Sequence, residues 1–215
     1  MFSLFHSENK KRIEQLSINV LSKATFAAEQ QQSTRGIGDY MQSLLSEQIP
    51  DSISDLLSES SKEFERRSMA DFALKDKNNN HYIVDVKTHR VDTKFNMPNL
   101  TSVERLTKFY RDSQNIFAVL FITYSLENSI IKINKVDFFP IEWLDWSCLT
   151  IGALGWGQIQ IRNSNNTQIN SSQNRKQWMI HLCETMLDFY HEEIEKITQT
   201  RVNRFQQELE FWEKQ

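Results

Sequence analysis

Apolar residues recur at steps of three and four between about Ser7 and Gln32, with Ile13, Leu16, Val20 and Leu21 in one stripe, and this period predicts a helix. STRGIGD interrupts it, because two glycines in three residues disfavour helix. A second short helix is predicted from Gly38 to Ile49, with Tyr40, Met41, Leu44 and Leu45 on one side and Pro50 as its stop. The following DSISDLLSESSKEFERRS is polar and only weakly helical. At Met69 the period changes to two. MADFALK alternates, KNNN is turn chemistry and HYIVDVK alternates again, which predicts a β-hairpin. MPNLTSVERLTKFYRD reads as a helix opened by a Thr101/Glu104 capping box. NIFAVLFITY is a continuous apolar run, expected as a buried strand; IIKINKVDFF and QIQIR are further strands. NSNNTQINSSQN has no period and reads as a loop. From about Arg175, residues including Trp178, Leu182, Met186, Ile194, Ile197, Phe205 and Leu209 outline one long helix or two.

Helices, a sheet interrupted by one helix, then helix again make an α/β (α+β) chain with a central mixed β-sheet flanked by helices. No internal repeat or linker divides it. The expectation is a single domain over 1–215: N-terminal helices about 7–49, a sheet core about 68–162 and a C-terminal helical region about 175–214.

The hairpin carries the candidate chemistry. In a strand, Asp85 and Lys87 share one face. With DKNNN as the loop, Lys75 pairs with His81, and the same register puts Asp71 opposite Asp85 on that face. Opposed carboxylates destabilise a sheet unless a positive group lies between them. A divalent cation fits, and Mg²⁺ suits one or two carboxylates plus retained water. Lys87 would hold or deprotonate an attacking water and offset charge developing on a phosphate. The competing reading is a surface hairpin with cross-strand ion pairs. A helix and a continuous apolar strand directly after it argue for the centre of a sheet, where an unpaired carboxylate is costly.

Composition narrows the class only slightly. The chain has 215 residues, 39% hydrophobic and 25% charged, with a net charge of −3, which speaks mildly against a general nucleic-acid binder. Between Val86 and Arg111, however, Lys87, Arg90, Lys94, Arg105, Lys108 and Arg111 face only Asp92 and Glu104, a local positive excess. No apolar run approaches the ~20 residues of a membrane span, and the N-terminus lacks the pattern of a secretory signal. Two cysteines, Cys148 and Cys183, without metal-ligand spacing, read as reduced thiols of a cytoplasmic protein.

DFALK followed by IVDVKTHR resembles the PD-(D/E)xK nuclease signature, with Ala70 where that superfamily often has proline. DVKTHRVDTKFNMPN, the QIQIR strand with its polar loop, and the helix bearing Trp178 resemble one branch, type II restriction endonucleases of the EcoRV/HincII kind. The likeness runs from about residue 68 to 115 and from about 156 to 200. It implies a restriction-endonuclease-like fold with Asp71 and Asp85 as Mg²⁺ ligands, the Val86 main-chain carbonyl completing the inner shell, and Lys87 as catalytic lysine. Mn²⁺ is expected to substitute. An acid from an N-terminal helix would add to the site: Asp39, which otherwise reads as a helix-start acid, or Glu29.

The partner implied is double-stranded DNA. Arg90 and Lys94 suit phosphates; Asn96 and Asn99 carry amides for base edges, with Met97 or Phe95 as a wedge, unless Asn99 caps the next helix. Gln158 and Gln160 share a face, and Asn163, Asn165, Asn166 and Gln168 follow, flanked by Arg162 and Arg175; the alternative is a disordered surface loop. His89, on the Lys87 face, is placed to touch a phosphate. The aromatic residues of FFPIEWLDW and GALGWG read as core rather than a stacking platform.

The expected function is a Mg²⁺-dependent, site-specific double-strand endonuclease (a type II restriction enzyme) at a short palindrome. Alternatives are a repair or junction-resolving nuclease of the same fold and a non-catalytic DNA-binding or scaffold protein. A palindrome implies a homodimer, with the N-terminal helices in its interface and the C-terminal helix bracing the DNA-reading arm.

Overall fold

A computed structural model describes residues 2–26, 33–61, 71–127 and 130–215. Glu29 and Ala70 lie outside the described residues. Helix α1 (Ser7–Lys23) buries Ile13, Ser17 and Leu21, one residue per turn. Helix α2 runs from Thr34 to Ser52, with Ser33 as N-cap accepting a hydrogen bond from the Gly36 amide at 3.0 Å. Both sequence limits for α2 therefore move. Gly36 and Gly38 lie inside it, and Pro50 sits in its last turn instead of stopping it. Burial of Ile37, Met41, Leu45 and Ile49 at four-residue steps outweighs the propensity cost of the glycines.

Among the described residues eight strands follow: β1 (Leu57–Ser61), β2 (Phe72–Asp76), β3 (His81–Arg90), β4 (Asn99–Ser102), β5 (Asn115–Glu127), β6 (Ile130–Pro140), β7 (Leu149–Gly152) and β8 (Gln158–Ile161). They form a five-stranded sheet, β1-β2-β3-β5-β6, and a three-stranded sheet, β4-β8-β7. Only the β3–β5 pair is parallel; the others are antiparallel. Parallel neighbours need a crossover, and β4 with the short helix α3 (Val103–Phe109) lies within it. The result is a mixed α/β chain with a central mixed sheet, α1 packing on β6 and α2, and α2 on β3.

The β2–β3 hairpin has the expected register, with Lys75 opposite His81. Its turn is organised by Asp76, which is buried and accepts from the Asn78 and Asn80 amides at 2.8 and 2.9 Å and from the Tyr82 hydroxyl at 3.0 Å. Asn79 takes the left-handed conformation, φ 62°, which asparagine tolerates. These hydrogen bonds hold the Asp76 carboxyl below its usual range against the opposing effect of burial.

The capping box does not form. Thr101 is spent in β4, paired with Ile159, Ser102 occupies the N-cap position without a side-chain bond, and Glu104 pairs with Lys108 at 2.6 Å. Strand pairing across the smaller sheet overrides the local pattern. The predicted helix shortens accordingly to seven residues.

The C-terminal region is continuous helix: α4 (Arg175–Glu195), a π-helical stretch (Lys196–Val202) and α5 (Asn203–Glu213). Trp178, Leu182 and Met186 bury its first half. Among the described residues no helix is long and apolar enough to cross a membrane.

Candidate active site

Strand β3 lies inside the sheet, between β2 and β5, so the surface-hairpin reading does not apply. Asp85 is only 5% exposed, and Lys87, two residues further along the same face, reaches back to its Oδ1 with Nζ at 2.8 Å. Asp71 lies just beyond the last regular pair, Phe72 opposite Val84. There the strand starts to turn away: the Asp71 amide donates to the Val84 carbonyl at 2.9 Å. Its side chain replaces the missing ladder, with Oδ2 accepting from the Val86 amide at 2.6 Å. The N–H and C=O of one strand residue point to the same edge, so the Val86 carbonyl also faces the side where Asp71 sits. Gln42 of α2 donates its amide to Asp71 Oδ1. Nothing in the sequence singled out Gln42. The local signal was Gly38, one turn earlier, where a Cβ would lie 2.8 Å from Thr88 Oγ1. The glycine lets α2 approach β3 closely enough for Gln42 to reach Asp71.

The electrostatics of Asp85 follow from this geometry. Burial pushes its carboxyl up from 3.8 to about 7; Lys87 opposes the rise and the charge on Asp71 adds to it. Its second oxygen, Oδ2, is buried and lacks a hydrogen-bond partner among the described residues. A carboxylate half satisfied by a lysine and pressed by a second carboxylate is a site short of positive charge. Among the described residues no three His, Cys, Asp or Glu side chains group closely enough to hold a metal ion. The oxygen donors at hand are the two aspartates and a strand-edge carbonyl. A hard cation that keeps most of its water fits that set; zinc, which favours three or four protein ligands, does not.

Lys87 opens into a cleft of about 440 Å³ between the first turns of α2, the end of β3 and the segment after it. Arg35 and Asp39 stand on its α2 wall, joined at 3.7 Å, and Arg90, Phe95 and Asn96 on the other. Asp39 is thus in the second turn of α2, on the cleft, rather than at a helix start.

The two candidate DNA-contacting segments are tied to each other. Asn96 and Pro98 carbonyls accept from the Ser164 and Ile161 amides at 2.9 and 3.1 Å, and Asn165 donates to the Thr93 carbonyl at 2.9 Å. Asn99 and Gln160 bond each other at 2.5 Å, so Asn99 is not a helix cap. Asn163 caps the short turn Ser164–Asn166, accepting from the Asn165 amide at 3.1 Å. The polar loop is thus ordered by its amides. Phe95 and Met97 are exposed. Gln158 lines a separate cleft with Arg105 and Trp156, and Arg162 lines a third beside α4, donating to the Leu149 carbonyl at 3.3 Å. Lys94 is exposed at the mouth of the loop.

Several expectations change. Arg175 does not flank a groove: it pairs with buried Glu142 at 2.7 Å and stacks over Tyr110 at 4.2 Å. His89 is 2% exposed and bonded to Asn165 at 2.7 Å, so it fastens the loop instead of meeting a phosphate. Trp156 is 64% exposed and is not core. The positive segment is also narrower than its residue count. Arg90 forms a two-pronged pair with Asp92 at 2.5 and 2.6 Å, and Lys87 and Lys108 have carboxylate partners. Cys148 and Cys183 are free thiols, the first buried and the second exposed.

Compared with known proteins, the chain matches no family model and no curated protein.

Proposed function

We propose that the chain is a Mg²⁺-dependent endonuclease with a restriction-endonuclease-like core, hydrolysing both strands of DNA at a short palindromic site as a homodimer. One observation carries the reading: the buried Asp85 carboxylate, with one oxygen on Lys87 and the other without a partner among the described residues, beside a second carboxylate at the end of a broken ladder. A structural ion pair would satisfy both oxygens or lie at the surface.

Asp71 and Asp85, with the Val86 carbonyl, would hold the cation, which would supply Lewis-acid polarisation of a phosphate oxygen and a more acidic water. Lys87 Nζ, released in part from Asp85, donates hydrogen bonds to the phosphate as negative charge builds on it. Gln42 and the Val86 amide fix both Asp71 oxygens, so the carboxylate needs no reorganisation when a cation arrives. The ordered segments 90–99 and 158–168, fastened together by Asn165, offer Asn96, Met97, Asn99, Gln160 and Asn163 near one surface for groove contacts, with Arg90 and Lys94 at the backbone.

Supercoiled plasmid incubated with the protein and Mg²⁺ tests this. Discrete linear fragments support a site-specific enzyme. A smear points to an unspecific nuclease, and unchanged plasmid over many sequences points to a non-catalytic DNA-binding protein.

A further inference from the structure

The C-terminal helix leaves the body of the protein with its apolar face uncovered. Trp178, Leu182 and Met186 anchor α4, and Phe189 packs against the core, but residues 194–215 are exposed throughout. A helix held only by its own hydrogen bonds is marginal in water. This one also carries a stripe of large apolar side chains, 37% to 71% exposed, from Leu187 to Trp212. The N-terminal helices offer no such face, since α1 and α2 turn their apolar residues inward.

The spacing of the stripe says what covers it. From Leu187 the steps are three, four, three, five, three, four and three. The five-residue step, Ile197 to Val202, would rotate the second half by about 100° on an α-helix. It falls in the π-helical stretch Lys196–Val202, whose wider turn takes up one extra residue and keeps the stripe on one side. The step pattern reads the same in both directions. A two-fold axis between Gln199 and Thr200 therefore lays the stripe on itself, setting Ile197 against Val202, Ile194 against Phe205, Tyr190 against Leu209 and Leu187 against Trp212.

Charge favours the same arrangement. Antiparallel pairing sets Glu195 level with Arg204, whereas a parallel in-register pair would place each of these residues beside its own like charge. The far ends also meet apolar surface. Tyr190 donates to the Trp156 carbonyl at 2.8 Å, and Trp156 and Leu154, both 64% exposed, stand where a second copy's Leu209 and Trp212 would arrive. The eight side chains of the stripe, 37% to 71% exposed, would form the continuous apolar centre that a stable interface needs.

We infer that this helix is a dimer seam, pairing antiparallel with the same helix of a second copy. The inference rests on the helix alone and holds whether or not the chain cuts DNA. It replaces the N-terminal helices as the expected interface and gives the C-terminal segment a role beyond bracing the loops.

Two measurements test it. In the first, the exposed thiol is removed (Cys183→Ser), and I197C and V202C chains are prepared separately, mixed and mildly oxidised. Antiparallel pairing yields the I197C–V202C disulfide and little I197C self-linkage, because residues 197 of the two chains lie about 7 Å apart along the axis at 1.5 Å per residue. Predominant self-linkage of I197C overturns the geometry. In the second, sedimentation of the wild-type chain at tens of micromolar should give about twice 25.4 kDa. Ile194→Glu with Phe205→Glu should give a folded monomer, checked by circular dichroism. A wild-type monomer, or a dimer indifferent to both substitutions, refutes the seam.

Discussion

Replacing Asp85 by Asn removes a charge while keeping the shape, and its effect on stability should depend on pH in one direction. In the folded, metal-free protein the Asp85 carboxyl is raised from 3.8 to about 7 by burial, with Asp71 adding to the rise. The unfolded chain releases this proton more easily, so the folded state binds more protons between those values. Wild-type stability therefore falls as pH rises through the window. The penalty is small near pH 4 and complete above about pH 7. At 1.36 kcal/mol per pH unit it amounts to about 4 kcal/mol. Loss of the Lys87 bond and any misfit of the new amide are nearly constant offsets and do not produce a slope. Urea denaturation in EDTA should show Asp85→Asn gaining about 2–3 kcal/mol relative to wild type between pH 5 and pH 8. That corresponds to about 5–10 °C in melting temperature for a chain of this length. Mg²⁺ added at pH 8 should narrow the difference by stabilising only the wild type. A difference that is flat with pH, or that shrinks as pH rises, would refute the account of Asp85 as a buried carboxylate short of positive charge.

If the proposed function is right, Asp71→Ala and Lys87→Ala should each lower plasmid cleavage by at least ~10³-fold with the cooperative melt retained, because the first would remove a cation ligand and the second the group that meets the phosphate, neither being part of the apolar core. Cleavage should stop in excess EDTA, and Ca²⁺ should support DNA retention on a gel without turnover; cleavage undiminished by EDTA rules the metal reading out. Glu142→Ala should cost about 3 kcal/mol in urea denaturation, since it leaves the Arg175 guanidinium and the Tyr110 hydroxyl without their carboxylate; a loss under about 1 kcal/mol would show that the pair contributes little.

The parts of the fold that the pattern predicted are those where one period dominates. Alternation in 72–76 and 81–87, with asparagines between, specifies both the hairpin and its register, because a one-residue slip would set Tyr82 and Val84 on the face that Ile83 and Asp85 occupy. NIFAVLFITY could only be buried. What the pattern missed was decided across the chain. The small sheet pairs β8, which the alternation of QIQIR predicts, with β4, whose short NLTS carries no local strand signal. It takes Thr101 away from the capping position that its spacing from Glu104 suggested. The glycines of GIGD disfavour helix by intrinsic propensity, but the helix there is held by Ile37 and Met41 below it, and Gly38 serves close approach to Thr88.

The site divides along the same line. Parity along β3 placed Asp85 and Lys87 on one face, and the hairpin register brought Asp71 to its end. No period could show that Gln42 would take one Asp71 oxygen and the Val86 amide the other, because both bonds arise where the ladder stops. Nor could composition tell that His89 would be buried while Asn165, in an apparently structureless loop, would fasten that loop to segment 91–98. Short polar side chains acquire their roles from what the fold sets opposite them. That is why the two aspartates and the lysine were legible and their supports were not. Strand β3 bears Lys87 and also His89, whose hydrogen bond to Asn165 ties the amide-rich loop to that strand. Displacing that loop would therefore require breaking the His89–Asn165 hydrogen bond or shifting the strand that holds Lys87 and Asp85, two and four residues from His89.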